Sequence, residues 1–137
     1  MRIKEILTES LQHIDQSNEG GSLEGYVVST DQPQLINYFH AQGAPTQLAE
    51  KLMSKFSVIG VIRNLYIDDE MRGQGYGSDL LDNAIDAAFN NGAEAIVLIA
   101  DTSESNQIDL VKWYQNYGFE IIGNASGDPI MILTPDE

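Results

Sequence analysis

The chain has 137 residues, with 7 Lys and Arg against 21 Asp and Glu, a net charge of −14 and 42% hydrophobic content. Such acidity repels nucleic-acid backbones, and the absence of cysteine excludes a disulfide framework and a thiol nucleophile. No apolar run approaches the roughly 20 residues that span a bilayer, and the N-terminus lacks a signal-peptide core, so one globular domain in the cytoplasm is expected, without membrane association.

In chain order, Ile3, Ile6, Leu7, Leu11 and Ile14 form an apolar stripe at helical spacing. Ser17, Asn18, Glu19, Gly20, Gly21 and Ser22 then read as a flexible connector. The division expected is an N-terminal helix and linker over residues 1–22, followed by the main domain over 23–137. The stripe could pack on that domain, pair with a second copy or engage another protein. Residues 23–30 read as a strand, and 34–42 as a helix ended by Gly43. Pro45 suits a helix start, and Leu48, Leu52 and Phe56 share one face of the segment that follows.

Residues 59–67 are β-branched and aromatic enough for a strand. Leu80, Leu81, Ala84, Ile85, Ala88 and Phe89 recur at helical spacing, and Asn91-Gly92 supplies a stop. Between strand and helix lies Arg72-Gly73-Gln74-Gly75-Tyr76-Gly77, with three glycines in six residues. Glycines let backbone N–H groups approach an anion and take positive φ, and the helix starting near Ser78 adds its unpaired first-turn N–H groups and positive dipole end. A phosphate-bearing cofactor is one reading of this turn; chain reversal alone is the other. A P-loop is excluded, because no Lys closes the turn. A dinucleotide fingerprint could use Ser78 and Asp101, but that fold needs more strand and helix units than the remaining chain supplies.

The pattern of Arg72, Gly75 and Gly77 resembles the acyl-CoA loop of the GCN5-related N-acetyltransferases (GNAT), which reads Arg or Gln, two residues, Gly, one residue, then Gly or Ala. Leu65-Tyr66-Ile67 stands five residues before that Arg, where the family has Leu-x-Val, and Tyr114 stands four residues before Gly118-Phe119, as a family Tyr does. The resemblance covers residues 57–134, with further strands at 93–100 and 129–133. It implies an α/β (α+β) fold of the acyl-CoA N-acyltransferase type, a mixed, mostly antiparallel central sheet flanked by helices. Family members carry a two-stranded hairpin between their first helices and the cofactor strand; here the helix over 46–56 runs almost directly into that strand, so a shortened N-terminal hairpin region is expected.

The resemblance also implies acetyl-CoA as acyl donor. Its implied contacts are Leu65, Tyr66, Ile67, Arg72, Gly73, Gln74, Gly75, Tyr76, Gly77, Ser78 and Asn106. Counting back from Gly118-Phe119 places Gln107 at the family's pantetheine-binding Asn, with Asn106 one residue away, where it could instead cap the helix. Acetyl transfer to an amine needs a polarised thioester carbonyl and a protonated leaving sulfur. The resemblance assigns these to the Ile67 backbone N–H and to Tyr114 as general acid. Tyr114 also fits core packing, since Leu110, Val111, Trp113 and Tyr117 crowd the same helix.

Asp68, Asp69 and Glu70 are candidates for a general base, with surface solvation as the other reading. His13 and His40 have no ligand-like spacing, and no metal site is expected. The expected function is acetyl transfer to a primary amine of a small molecule or protein, a cationic one being favoured by the net charge. The alternative is a non-catalytic acyl-CoA-binding or assembly protein of the same fold. Oligomeric state is open, a homodimer being one outcome that the apolar stripe and the resemblance allow.

Overall fold

A computed structural model describes residues 11–68, 70, 73–101 and 110–135. Strands β1 (Leu11–His13), β2 (Gln16–Asn18) and β3 (Gly21–Ser29) come first, then helices α1 (Pro33–Gln42) and α2 (Thr46–Lys55). After them follow β4 (Val58–Ile67), α3 (Tyr76–Asn90), β5 (Ile96–Ile99), α4 (Leu110–Asn116), β6 (Glu120–Ala125) and β7 (Asp128–Leu133). One seven-stranded sheet runs β1-β3-β4-β5-β7-β6, with β2 also paired to β3. Only β4 and β5 are parallel among the described strands; the other pairs are antiparallel.

The sheet buries both faces. On one, Ile62, Ile96, Leu98 and Met131 pack beneath Leu80, Leu81, Ala84 and Ala88 of α3 and Tyr114 of α4. On the other, Val28, Ile59, Val61, Val97 and Ile130 meet Leu35 and Phe39 of α1 and Leu52 of α2. Alternation along β4 decides this division, because successive strand side chains point to opposite faces. Covering both faces removes the apolar strands from water, at about 25 cal/mol per Å² of apolar surface.

Two expectations fail near the N-terminus. The helical stripe ends in strand: Leu11–His13 pairs with β3, and Ile14 is buried because its N–H donates to the Gly25 carbonyl (3.0 Å) and its side chain joins the α3-side core. Residues 17–22 are a hairpin rather than a flexible connector. Ser17 and Asn18 pair with Ser22 and Gly21, and the Asn18 Oδ1 accepts from the Gly20 and Gly21 N–H groups at 2.9 and 3.1 Å. The rest of the stripe, Ile3, Ile6 and Leu7, lies outside the described residues.

No strand separates α2 from β4, in keeping with the shortened hairpin region expected from the direct run of that helix into the cofactor strand. The antiparallel strands β1, β2 and β3 come before α1, and β3 joins them to β4. No described helix is long and apolar enough to cross a membrane.

Candidate active site

A bulge in β4 builds the site. Gly25 pairs with Ile62 and Glu24 with Asn64, so Arg63 is an extra residue on β4. Such an insertion bends the strand and shifts its alternation by one. Ile62 faces α3, and beyond the bulge Leu65 and Ile67, rather than Asn64 and Tyr66, continue that face. The bend also parts the two parallel strands. Pairing with β5 stops at Ile62 and Leu98, while β4 stays on β3 as far as Ile67. Past that point the β5 chain follows β7, the Ala100 N–H donating to the Pro129 carbonyl (2.9 Å).

The backbone of Leu65 and Ile67 therefore has no β5 ladder. The Asp68 N–H donates to the Gly20 carbonyl across β3 (2.8 Å). Since N–H directions alternate along a strand, the Ile67 N–H points to the opposite edge, into the gap.

The gap opens into a cleft of about 750 Å³ that passes through the sheet. On the α3 side it is lined by Leu65, Ile67, Gly73, Gly75, Gly77, Ser78, Leu110, Trp113 and Tyr114. On the α1 side it is lined by Tyr38, Gln42, Arg63, Asn64, Tyr66, Ile99, Asp101 and Asp128.

At the α3 end, Gly73 and Gly75 take left-handed backbone (φ 81° and 88°), where other residues are strained. Gly75 is the N-cap of α3 and no side chain caps that helix. The first helical bond runs from the Asp79 N–H to the Gly75 carbonyl (3.0 Å), so the N–H groups of Tyr76, Gly77 and Ser78 have no partner one turn earlier in the helix. An uncapped 15-residue helix with a glycine turn at its start is a concavity for an anion, and the residues present fit a pyrophosphate. Gly77 sits between walls: a Cβ there would lie 3.5 Å from Ile67 Cγ1 and 3.6 Å from Trp113 Cζ2.

Tyr114 reaches the same gap from α4. Its ring meets Trp113 at 5.2 Å and stands edge-on to Phe119 at 5.7 Å, and it is 6% exposed. Burial pushes its phenol up to about 12, so it stays protonated at neutral pH. At the α1 end, burial pushes Tyr38 up to about 12; Tyr26 raises it further and the Arg63 guanidinium opposes the shift.

The cleft thus gathers Leu65, Tyr66, Ile67, Gly73, Gly75, Gly77, Ser78 and Tyr114 from the residues singled out in the sequence. Gln74 and Tyr76 do not line it. Gln74 Nε2 donates to the Glu70 carbonyl (3.1 Å), and the Tyr76 ring lies against Gly20. Arg72, Asp69, Asn106 and Gln107 fall outside the described residues. Neither Asp68 nor Glu70 lines the cleft, nor does His13, beside Asp15, or His40, beside Thr46. Among the described residues no three His, Cys, Asp or Glu side chains group as a metal site.

Sequence reading missed Tyr38, Gln42, Arg63, Asn64 and Asp128 as cleft residues. The signal for two of them was present: Arg63-Asn64 interrupts an apolar run with adjacent polar residues, as a bulge does.

The family model for acetyltransferases of the GNAT family matches residues 18–119. The chain belongs to the GNAT family. Solved structures share this GNAT fold at low identity. A protein of Pyrococcus horikoshii OT3 superposes with a TM-score of 0.58 at 16% identity, over 89% of this chain and 63% of that one. The PaiA N-acetyltransferase of Thermoplasma acidophilum, in complex with coenzyme A, gives 0.55 at 15% over 85% and 54%. The Drosophila melanogaster polyamine N-acetyltransferase, which catalyses formation of N-acetylagmatine, gives 0.60 at 12% over 87% and 72%. This GNAT chain therefore spans less than two thirds of the length of the first two relatives. No curated protein matches it significantly.

Proposed function

We propose that this GNAT protein transfers acetyl from acetyl-CoA to a primary amine within the cleft between β4 and β5. One observation carries the reading: the same gap receives the Ile67 N–H from one wall and the buried Tyr114 from the other, directly beside an uncapped helix start. The coenzyme A in the PaiA relative's structure supports the same cosubstrate here.

Bound acetyl-CoA supplies a thioester that a neutral amine attacks; the C–N bond forms, the C–S bond breaks, and amide and CoA thiol leave. The glycine turn and the first N–H groups of α3, with Arg72, hold the pyrophosphate. Trp113, Leu110 and Leu65 give the apolar walls for the pantetheine arm. The Ile67 N–H donates to the thioester carbonyl oxygen as negative charge grows there, where a preorganised donor counts for more than water. Tyr114 gives its phenolic proton to the departing sulfur, whose conjugate acid is far stronger than a phenol held near 12, so the tyrosine returns to its neutral form by taking the proton the ammonium loses, relayed through water.

A second reading is favoured by the lack of any strand between α2 and β4: acyl-CoA binding without transfer, in an assembly or regulatory role. CoA release measured with a broad panel of amines and peptides, wild type against Tyr114→Phe, separates them. Transfer predicts turnover with some acceptor, reduced in the variant; tight acetyl-CoA binding without turnover on any acceptor leaves the second reading.

A further inference from the structure

The α1-side mouth of the cleft holds a cation, in a chain that has few. Arg63 is one of 7 basic residues in the protein, and it sits on the bulge where β4 bends away from β5. It is exposed, lines the cleft, and has no ion-pair partner among the described residues. It lines the cleft together with Tyr38 and Gln42 of α1, and its positive charge opposes the upward shift of the Tyr26 and Tyr38 phenols. Asp101 and Asp128 line the opposite wall, past the end of β5 and at the start of β7. Both have interactions within the protein, and the exposed Arg63 guanidinium is the cation that this mouth offers to a ligand.

We infer that the acceptor is a small amino-carboxylic acid, its carboxylate seated on Arg63 at the α1-side mouth and its amine directed into the gap toward Ile67 and Tyr114. The inference rests on the acetyl-transfer reading and narrows its acceptor. A planar guanidinium matches a carboxylate with two parallel N–H donors, a fit that no ammonium reproduces. A polyamine would instead set a second positive charge against Arg63. The overall charge of −14 favours cations at long range, but the residues lining a site decide what stays there. Tyr38 and Gln42, flanking Arg63 from α1, add a hydroxyl and an amide suited to the remaining carboxylate lone pairs.

The test compares matched acceptors that differ only by the carboxylate, lysine against cadaverine and phenylalanine against phenethylamine. Wild type, Arg63→Met and Arg63→Lys are each titrated in the CoA-loaded form by calorimetry and assayed for CoA release. The expected result is a preference of about 10- to 100-fold for the acid in wild type, in affinity and in kcat/KM, as for hydrogen bonds to a charged group. Arg63→Met should remove that preference, and Arg63→Lys should keep part of it. Acetyl-CoA affinity should not follow the substitution.

Equal or better binding of the decarboxylated amines by wild type overturns the inference. So does an Arg63→Met variant that weakens both members of each pair alike, or that loses acetyl-CoA, which would move Arg63 to the donor side. Because the binding arm needs no turnover, absence of CoA release with every amine would count against acetyl transfer and leave the carboxylate preference separately measurable.

Discussion

The ring of Tyr76 occupies the space into which a Cβ on Gly20 would project. That contact ties the β2–β3 turn to the first residue of α3, and Asn18 Nδ2 adds a bond to the Tyr76 carbonyl (3.3 Å). The hairpin read from sequence as a linker is thus the support under the glycine turn. Gly20→Ala should cost about 1–3 kcal/mol of stability by overpacking, and should weaken acetyl-CoA binding by displacing the start of α3. Urea unfolding and calorimetry check both; unchanged values in each would mean that the hairpin does not support the loop.

Ile67→Pro removes one N–H and leaves the β3 ladder intact, because that N–H faces the gap and not β3. If it is the donor to the thioester oxygen, kcat should fall by about 10²- to 10³-fold, while acetyl-CoA affinity changes only a few-fold. An active Ile67→Pro enzyme with normal kcat would remove the backbone donor from the mechanism.

Tyr114→Phe keeps the ring that packs on Trp113 and Phe119 and deletes the hydroxyl alone. Turnover should drop by about 10²-fold with acetyl-CoA binding retained, which steady-state kinetics and calorimetry read independently. A drop in stability or in binding that matches the loss of turnover would mark the tyrosine as a packing residue.

The same phenol makes stability depend on alkaline pH. Burial holds Tyr114 and Tyr38 near 12 in the folded protein, above the ordinary tyrosine value of 10.0. The folded state therefore binds those protons more tightly than the unfolded chain. Their contribution is complete below pH 10 and is lost as pH rises from 10 toward 12, by up to about 1.4 kcal/mol per pH unit for each group. Denaturant midpoints across that range should fall less steeply in Tyr114→Phe than in wild type. Identical slopes would contradict the burial of the hydroxyl.

The central part of the chain was legible in its sequence because local signals and tertiary packing agree there. Pro33 and Gly43 bracket α1, Pro45 precedes α2, and the stripe from Leu80 to Ala88 packs as its spacing requires. The spacing of Tyr114 to Gly118-Phe119 singled out a residue that lines the cleft. Leu11 and Ile14 misled because three-residue spacing fits a helical stripe and equally a strand that bends before burying its last residue. Strand β6 gave little signal: Gly123 and Asn124 break its pattern and Ile121 is 50% exposed on the sheet edge. The α1-side mouth was hidden for a different reason. Tyr38, Arg63 and Asp128 line one cleft where a one-residue bulge bends β4 away from β5, and such long-range geometry leaves just the Arg63-Asn64 interruption as its trace.

Every step proposed for this protein begins with acetyl-CoA at the glycine turn. Gly75 is exposed, a Cβ there would touch nothing within 4 Å, and its φ of 88° suits Asn far better than other residues. Calorimetric titration of acetyl-CoA into wild type, Gly75→Asn and Gly75→Glu, with circular dichroism to confirm the fold, therefore tests the account most directly. It predicts saturable binding by wild type, near-normal binding by Gly75→Asn, and a loss of at least about 10-fold in Gly75→Glu, whose carboxylate would face the pyrophosphate. Folded Gly75→Glu that binds acetyl-CoA as wild type does, or a wild type that does not bind it, would contradict the account.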